Sequence, residues 1–290
     1  MVAFEVPEVD YTQYSNRQLI AIPLVVLAVA LGVLALTFAL TGSPVALGND
    51  FTGGSERKVQ SSEPISEQQA ADTFGDSVVS LQQVTSAENQ YIITFDNTAD
   101  ISELKEAAEQ AEGVTVLQSG STSAVFGSQN QDLALIGVGI AFLGMSLLAF
   151  ALFRTFVPSI AIVISAFSDI VIPVAIMNLV GIKLSLGTVA ALLMLIGYSV
   201  DSDILLNNHV LRRSGGFYES TYRAMRTGVT MTITSIAAML VMAIAATLFG
   251  IELMASIGIV LVLGLTADLM NTYMLNVTLL RWYKYEGVKR

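Results

Sequence analysis

Leu195-Ile196-Gly197-Tyr198-Ser199-Val200-Asp201-Ser202-Asp203-Ile204-Leu205-Leu206 sets two carboxylic acids inside an apolar run long enough to cross a bilayer. An ionised acid at membrane depth costs about 2.5–3.5 kcal/mol on insertion scales, so such a residue signals function, most often an ion or proton relay. The surrounding composition agrees with a membrane setting. Of 290 residues, 53% are hydrophobic and 13% charged, against about 25% charged in soluble domains. Five further apolar runs stand near 19–40, 131–153, 157–180, 229–249 and 254–280; with 185–207 they make six spans of the length one helix needs. The first is longer than a signal-peptide core and lacks a small-x-small cleavage site, so it reads as a retained helix.

The arginines and lysines orient these spans. Arg17, Arg154, Arg212, Arg213, Arg223, Arg226, Arg281, Lys284, Lys289 and Arg290 all fall on one side, which the positive-inside rule assigns to the cytoplasm, both termini included. Trp282, Tyr283 and Tyr285 close the last span as an interfacial aromatic belt. The net charge of -10 is concentrated elsewhere: residues 41–130 hold 13 acidic and 3 basic side chains. That acidity opposes nucleic-acid binding and suits a high-salt environment, where self-repulsion is screened. Cysteine is absent, which removes disulfide and thiolate-metal chemistry. No phosphate-binding loop and no cofactor or metal motif is found.

Residues 41–130 read as an extracytoplasmic domain between the first two spans. Glu56–Ser61, Val78–Thr85, Tyr91–Phe95 and Val114–Leu117 have strand character; Ser66–Gly75 opens with a Ser-x-x-Gln capping box, and Asp100–Glu112 forms an amphipathic helix ended by Gly113. The order β-α-β-β-α-β is that of a ferredoxin-like α+β fold. The expected architecture is therefore a mostly α, six-helix transmembrane bundle with one small ferredoxin-like domain. Its parts are a cytoplasmic segment 1–18, a first helix 19–40, the domain 41–130, five helices over 131–280 and a cytoplasmic tail 281–290.

At about 100° per residue, Asp201 shares a helix face with Gly197, Tyr198 and Asn208, whereas Asp203 points with Ser199 and Asn207 the opposite way. Asp201, read as the deeper of the two, is the expected principal ion-linked acid, and Asp203 lies closer to the cytoplasmic end. Asp169 and Asp268 sit near mid-depth of their own spans and join them as relay candidates. Arg226, at the entry of the fifth span, is the one base placed to reach in as a charge partner. With so few bases, some acids are expected to hold protons, as a relay requires. Thr227, Thr230, Thr232 and Thr234 suit packing or a wet path, His209 suits an interfacial role, and Gly137, Gly139 and Gly144 suit close helix approach.

Gly48-Asn49-Asp50-Phe51-Thr52-Gly53-Gly54, directly after the first span, resembles the Gly-x-Asp-Phe-x-Gly-Gly signature of the SecD/SecF protein-export family. Ile196-Gly197-Tyr198-Ser199 and Arg226-Thr227 are similar to that family's fourth- and fifth-span motifs, and the layout covers nearly the whole chain. One departure is plain: bacterial members follow Gly-Tyr-Ser with a hydrophobic residue and Asn-Asp-Thr, where this sequence has Val200 and Asp201-Ser202-Asp203. The bacterial acid thus aligns with Ser202, and archaeal members look like this chain. Asp169 matches a bacterial His-Asp pair, with Ser168 replacing the histidine, and Arg226 matches a functional arginine of the family. The resemblance implies a half-transporter of the resistance-nodulation-division class that pairs with SecD beside the Sec translocon channel. It would use proton or sodium flow to move a domain that grips emerging polypeptide. Two other readings remain: a small-molecule or lipid exporter of the same superfamily, and an intramembrane aspartyl protease, for which the Gly-x-Gly-Asp pattern is missing.

Overall fold

The computed structural model describes residue 6 and residues 9–74, 77–84, 87–96, 113–212 and 215–285. Among the described residues, six helices are long and apolar enough to cross a membrane: α1 (Asn16–Thr41), α4 (Ala124–Phe153), α5 (Phe156–Val180), α6 (Leu186–Arg212), α7 (Phe217–Leu248), and a last span of α8 (Glu252–Met270), a π-helical turn (Asn271–Asn276) and α9 (Val277–Tyr285). Two of the starts have a side-chain cap as their local cause. The Ser15 hydroxyl accepts the Gln18 N–H while the Gln18 side chain reaches back to Ser15, a capping box that fixes the entry of α1. Ser123 caps α4 in the same sense.

Polarity sorts the helices within the bundle. α5, α6 and the last span supply the interior, whereas α1, α4 and α7 keep apolar faces such as Val29, Leu147 and Val241 exposed. The core between α5, α6 and α8 is built from Met177, Leu192, Leu195, Val260, Leu261 and Leu265. Close approach there depends on glycines of the later helices. A Cβ on Gly264 would fall 2.2 Å from Leu195 Cδ2, and one on Gly258 would fall 2.9 Å from Ala243 Cβ. A Cβ added to Gly137, Gly139 or Gly144, expected to serve this purpose, would meet no other element within 4 Å among the described residues. α4 is a peripheral helix on which these three glycines face outward while Gly127 meets Phe51, so period alone could not say which glycines meet a neighbour.

Between α1 and α4 lies a small antiparallel sheet of β1 (Gly54–Ser61), β2 (Val78–Gln83), β3 (Gln90–Phe95) and β4 (Val114–Thr122), in the order β2-β3-β1-β4. In its central pair Ser55 faces Phe95 and Gln60 faces Gln90. A short helix α2 (Asn49–Thr52) precedes β1, and α3 (Glu67–Phe74) follows it behind the expected Ser66–Gln69 capping box. Val59, Phe74, Tyr91, Ile93 and Phe95 form its apolar core. β4 runs five residues beyond its expected end at Leu117, and the amphipathic helix read over 100–112 lies outside the described residues.

The Gly-Asn-Asp-Phe-Thr-Gly-Gly stretch joins this sheet domain to three spans. Gly48 N–H donates to Leu184 O and Leu184 N–H to Ala46 O, each at 2.7 Å. Asp50 Oδ2 accepts the Leu186 N–H at 2.9 Å and so caps the start of α6. Phe51 is buried. Gly53, at φ 77°, leaves no room for a side chain: its Cβ would stand 2.7 Å from Ala124 N at the start of α4. Gly54, at φ 134°, passes equally close to Phe95 O of β3. Each glycine of the pair is thus fixed by the backbone it touches.

Candidate functional site: a buried acid cluster

Three adjacent elements bring three acids together in the bundle. Asp169 of α5, Asp203 of α6 and Asp268 of α8 are each at most 1% exposed. Ser199 Oγ donates to Asp169 Oδ2 at 2.5 Å, and Asn271 Nδ2 donates to Asp169 Oδ1 at 2.6 Å. Ser202 Oγ donates to Asp268 Oδ2 at 2.7 Å. Asn276 Nδ2 donates to Asp203 Oδ1 at 2.8 Å. The Thr272 hydroxyl lies 3.0 Å from Asp203 Oδ1 and 3.1 Å from Asp268 Oδ1.

The π-helical turn makes this convergence possible. A π turn carries more residues per revolution than an α-helix and occurs mostly at functional sites. Here it aims Asn271, Thr272 and Asn276 at all three acids from one stretch of six residues. The donors bonded to the acids are neutral hydroxyls and amides. Asp203 Oδ2, Asn207 Oδ1, Asn271 Oδ1 and Ser168 Oγ are buried without a hydrogen-bond partner among the described residues. Buried acceptors without donors are costly, so Asp203 Oδ2 and the two amide oxygens are open to a further donor or a cation. Among the described residues, no group of three or more His, Asp or Glu side chains is arranged to hold a metal ion.

The expected site residues divide into two sets. The two polar stripes of α6 are present and differ in burial: Asp203 is fully buried with Ser199 and Asn207, while Asp201 is exposed beside Gly197 and Tyr198. α6 runs on to Arg212, nine residues past Asp203, so Asp203 lies well inside the helix rather than at its end. Arg226 is exposed on α7 instead of reaching into the cluster. The Thr227, Thr230 and Thr234 hydroxyls bond back to carbonyls of their own helix, and His209 Nδ1 lies 2.9 Å from Leu205 O. Ser202, between the two acids of α6, holds Asp268. Asn271, Thr272 and Asn276 escaped the sequence reading because Asn and Thr in an apolar helix carry no distinctive pattern.

Six apolar helices around a core of hydrogen-bonded acids, with a small sheet domain after the first, define a multi-pass membrane protein with ionisable groups in its interior. A family model described as "Protein export membrane protein SecD/SecF, C-terminal" matches residues 103–286. Among its relatives, a protein-export membrane protein SecF of Haloferax volcanii is 66% identical over the full length of both chains. Another, from Methanocaldococcus jannaschii, is 36% identical over 91% of this chain and 94% of its own. The chain belongs to the SecD/SecF protein-export family. A crystal structure of SecDF from Thermus, described as a translocon-associated membrane protein, shares the fold at a TM-score of 0.73 and 20% identity over 96% of this chain; the chain spans 39% of that longer one.

Proposed function

We propose that this chain is the SecF-type half of an ion-driven export auxiliary, pairing with SecD beside the Sec translocon to draw polypeptide across the cell membrane. The observation that carries the reading is the cluster of Asp169, Asp203 and Asp268, buried and linked through neutral donors. Three carboxylates in a dry site cannot all remain ionised without a compensating charge, and among the described residues no basic side chain bonds to them. Protons or sodium ions entering the site would supply it, and one charge crossing the membrane yields roughly 2.3 kcal/mol per 100 mV. Ser202 in place of the bacterial acid is consistent with the acidic function having moved to Asp203 and Asp268.

Asp201 and Arg226 have a different task in this reading. An acid, an arginine and the threonines 227, 230 and 234 on outward faces of α6 and α7 are poor neighbours for lipid. A second six-span subunit covering that face accounts for them, and SecD is the natural occupant. The termini lie in the cytoplasm by the distribution of arginine and lysine. The sheet domain then faces outward; its strand order, with α3 after β1, fits a ferredoxin-like unit whose second helix would fall over 100–112. Its tie to α6 through Asp50 gives ion-driven movement of that helix a route to the polypeptide-handling domain.

The test separates the two sets. Asp203→Asn should insert and co-purify with SecD but fail to stimulate secretion. Asp201→Asn should weaken that co-purification. Secretion at the normal rate by Asp203→Asn would remove the cluster from the mechanism.

A further inference from the structure

The face of the bundle that carries the termini is crossed by a short strap, residues 6 and 9–14, whose polar sequence gives no hint that it enters the core. Val6 and Tyr11 are nonetheless buried, against Leu206 and Val210 of α6, Phe217 and Met225 of α7, and Tyr273, Val277 and Leu280 of the last span. The Tyr11 hydroxyl donates to Tyr273 O at 3.0 Å and lies 3.7 Å from Met225 Sδ. Burial pushes the Tyr11 phenol up to about 12, so it remains a donor at physiological pH. Arg281 Nη1 donates to Tyr11 O and Tyr14 O, each at 3.0 Å, and the Tyr222 hydroxyl donates to Val6 O at 3.4 Å. The strap is thereby pinned to α7, α9 and the π turn.

Tyr273 joins the strap to the acids. It follows Thr272 directly, and its own hydroxyl, buried without a hydrogen-bond partner among the described residues, fits a notch where a Cβ on Gly228 would come within 2.1 Å. Its backbone is held by Tyr11 and its ring by α7, while its neighbours Asn271, Thr272 and Asn276 grip the three acids. If the turn relaxed to α-helical pitch, residues along it would rotate relative to one another, and those three side chains could not all keep their partners. A cleft of about 410 Å³ beside Tyr11 is lined by Asp10, Tyr11, Thr12, Tyr218, Tyr222 and Met225.

We propose that this strap is the gate between the acid cluster and the face carrying the termini, with Tyr11 as the positioning residue that latches the π turn shut. The proposal rests on the ion-relay reading for its purpose, but not for its test. The chain has no cysteine, so a single thiol can report access. Ser168→Cys places one next to Asp169 in the chain at little cost, because the Ser168 hydroxyl has no hydrogen-bond partner among the described residues; Ser202→Cys is the second reporter should the first fail to insert. In sealed vesicles holding the full chain with its partner, a membrane-impermeant methanethiosulfonate is added to one side or the other.

The reporter should label slowly from the terminal side. Adding Tyr11→Phe should speed that labelling about tenfold, as loss of one hydrogen bond does, and removing residues 1–12 should speed it at least as much. Labelling from the opposite side should not change, whereas general loosening of the fold would accelerate both. Equal rates with and without the strap would overturn the gate. Faster labelling combined with full secretion by Asp203→Asn would keep the gate and reject the ion reading; unchanged labelling combined with loss of secretion would do the reverse.

Discussion

Asp50 illustrates how much one side chain of the Gly-Asn-Asp-Phe-Thr-Gly-Gly stretch carries. Its carboxylate caps α6, and its backbone carbonyl accepts from Asn130 Nδ2 of α4 at 3.3 Å. Asp50→Ala should cost about 1 kcal/mol, read as a lower midpoint in thermal unfolding of the detergent-solubilised protein. Asp50→Asn, which keeps an acceptor, should lose less. Close by, partial burial and then the Asp50 charge hold the Glu56 carboxyl above its usual range. A folded-state value above the unfolded one makes Glu56 favourable to folding only at acidic pH. That contribution is full below the ordinary glutamate value and disappears as pH rises through the raised value. Glu56→Gln should therefore raise the melting midpoint at pH 7 relative to the parent and leave it nearly unchanged at pH 4. A midpoint difference independent of pH would contradict the assignment.

At the scale of elements, the spans and four strands were legible because apolar length and alternation report burial directly. The two stripes of α6 were legible for the same reason. Which stripe faces inward was not, because an acid on a helix has the same periodicity whether it meets Asn276 or a partner subunit. The π turn was hidden as well: Asn271-Thr272-Tyr273-Met274-Leu275-Asn276 has no local signature, and the geometry arises from its contacts with α5 and α6. Deleting Met274 should draw the turn toward α-helical pitch. Helical content by circular dichroism should hold while stimulation of secretion is lost. Packing between spans gives a second test: Gly264→Ala forces a methyl against Leu195 and should destabilise by roughly 1–3 kcal/mol, measured as a shift in the thermal midpoint. Gly139→Ala, with open space around it, should be close to neutral in the same assay.

Across the whole molecule, the sheet domain is seated on the bundle at more than one place. Besides the Gly53 and Asp50 contacts, Val84 after β2 lies against Gly250 in the α7–α8 turn, where φ is +66° and an added Cβ would stand 2.6 Å from Val84 Cγ1. Asn178 of α5 accepts from Ala46 N at 3.1 Å and donates to Pro44 O at 2.8 Å. Gly250→Val should unseat that contact, visible as faster hydrogen exchange in β2 and β3 with the spans little affected. None of these contacts could be read from the sequence, since each joins residues far apart whose types are ordinary for turns.

Thr272 has one hydroxyl hydrogen and two acidic neighbours. It can donate to Asp203 or to Asp268 but not to both, and the two links close together only when one of those acids contributes a hydrogen of its own. Occupancy of the cluster by a proton can thus be registered by the torsion of a single C–O bond, leaving the heavy elements to follow a signal that itself displaces almost no mass.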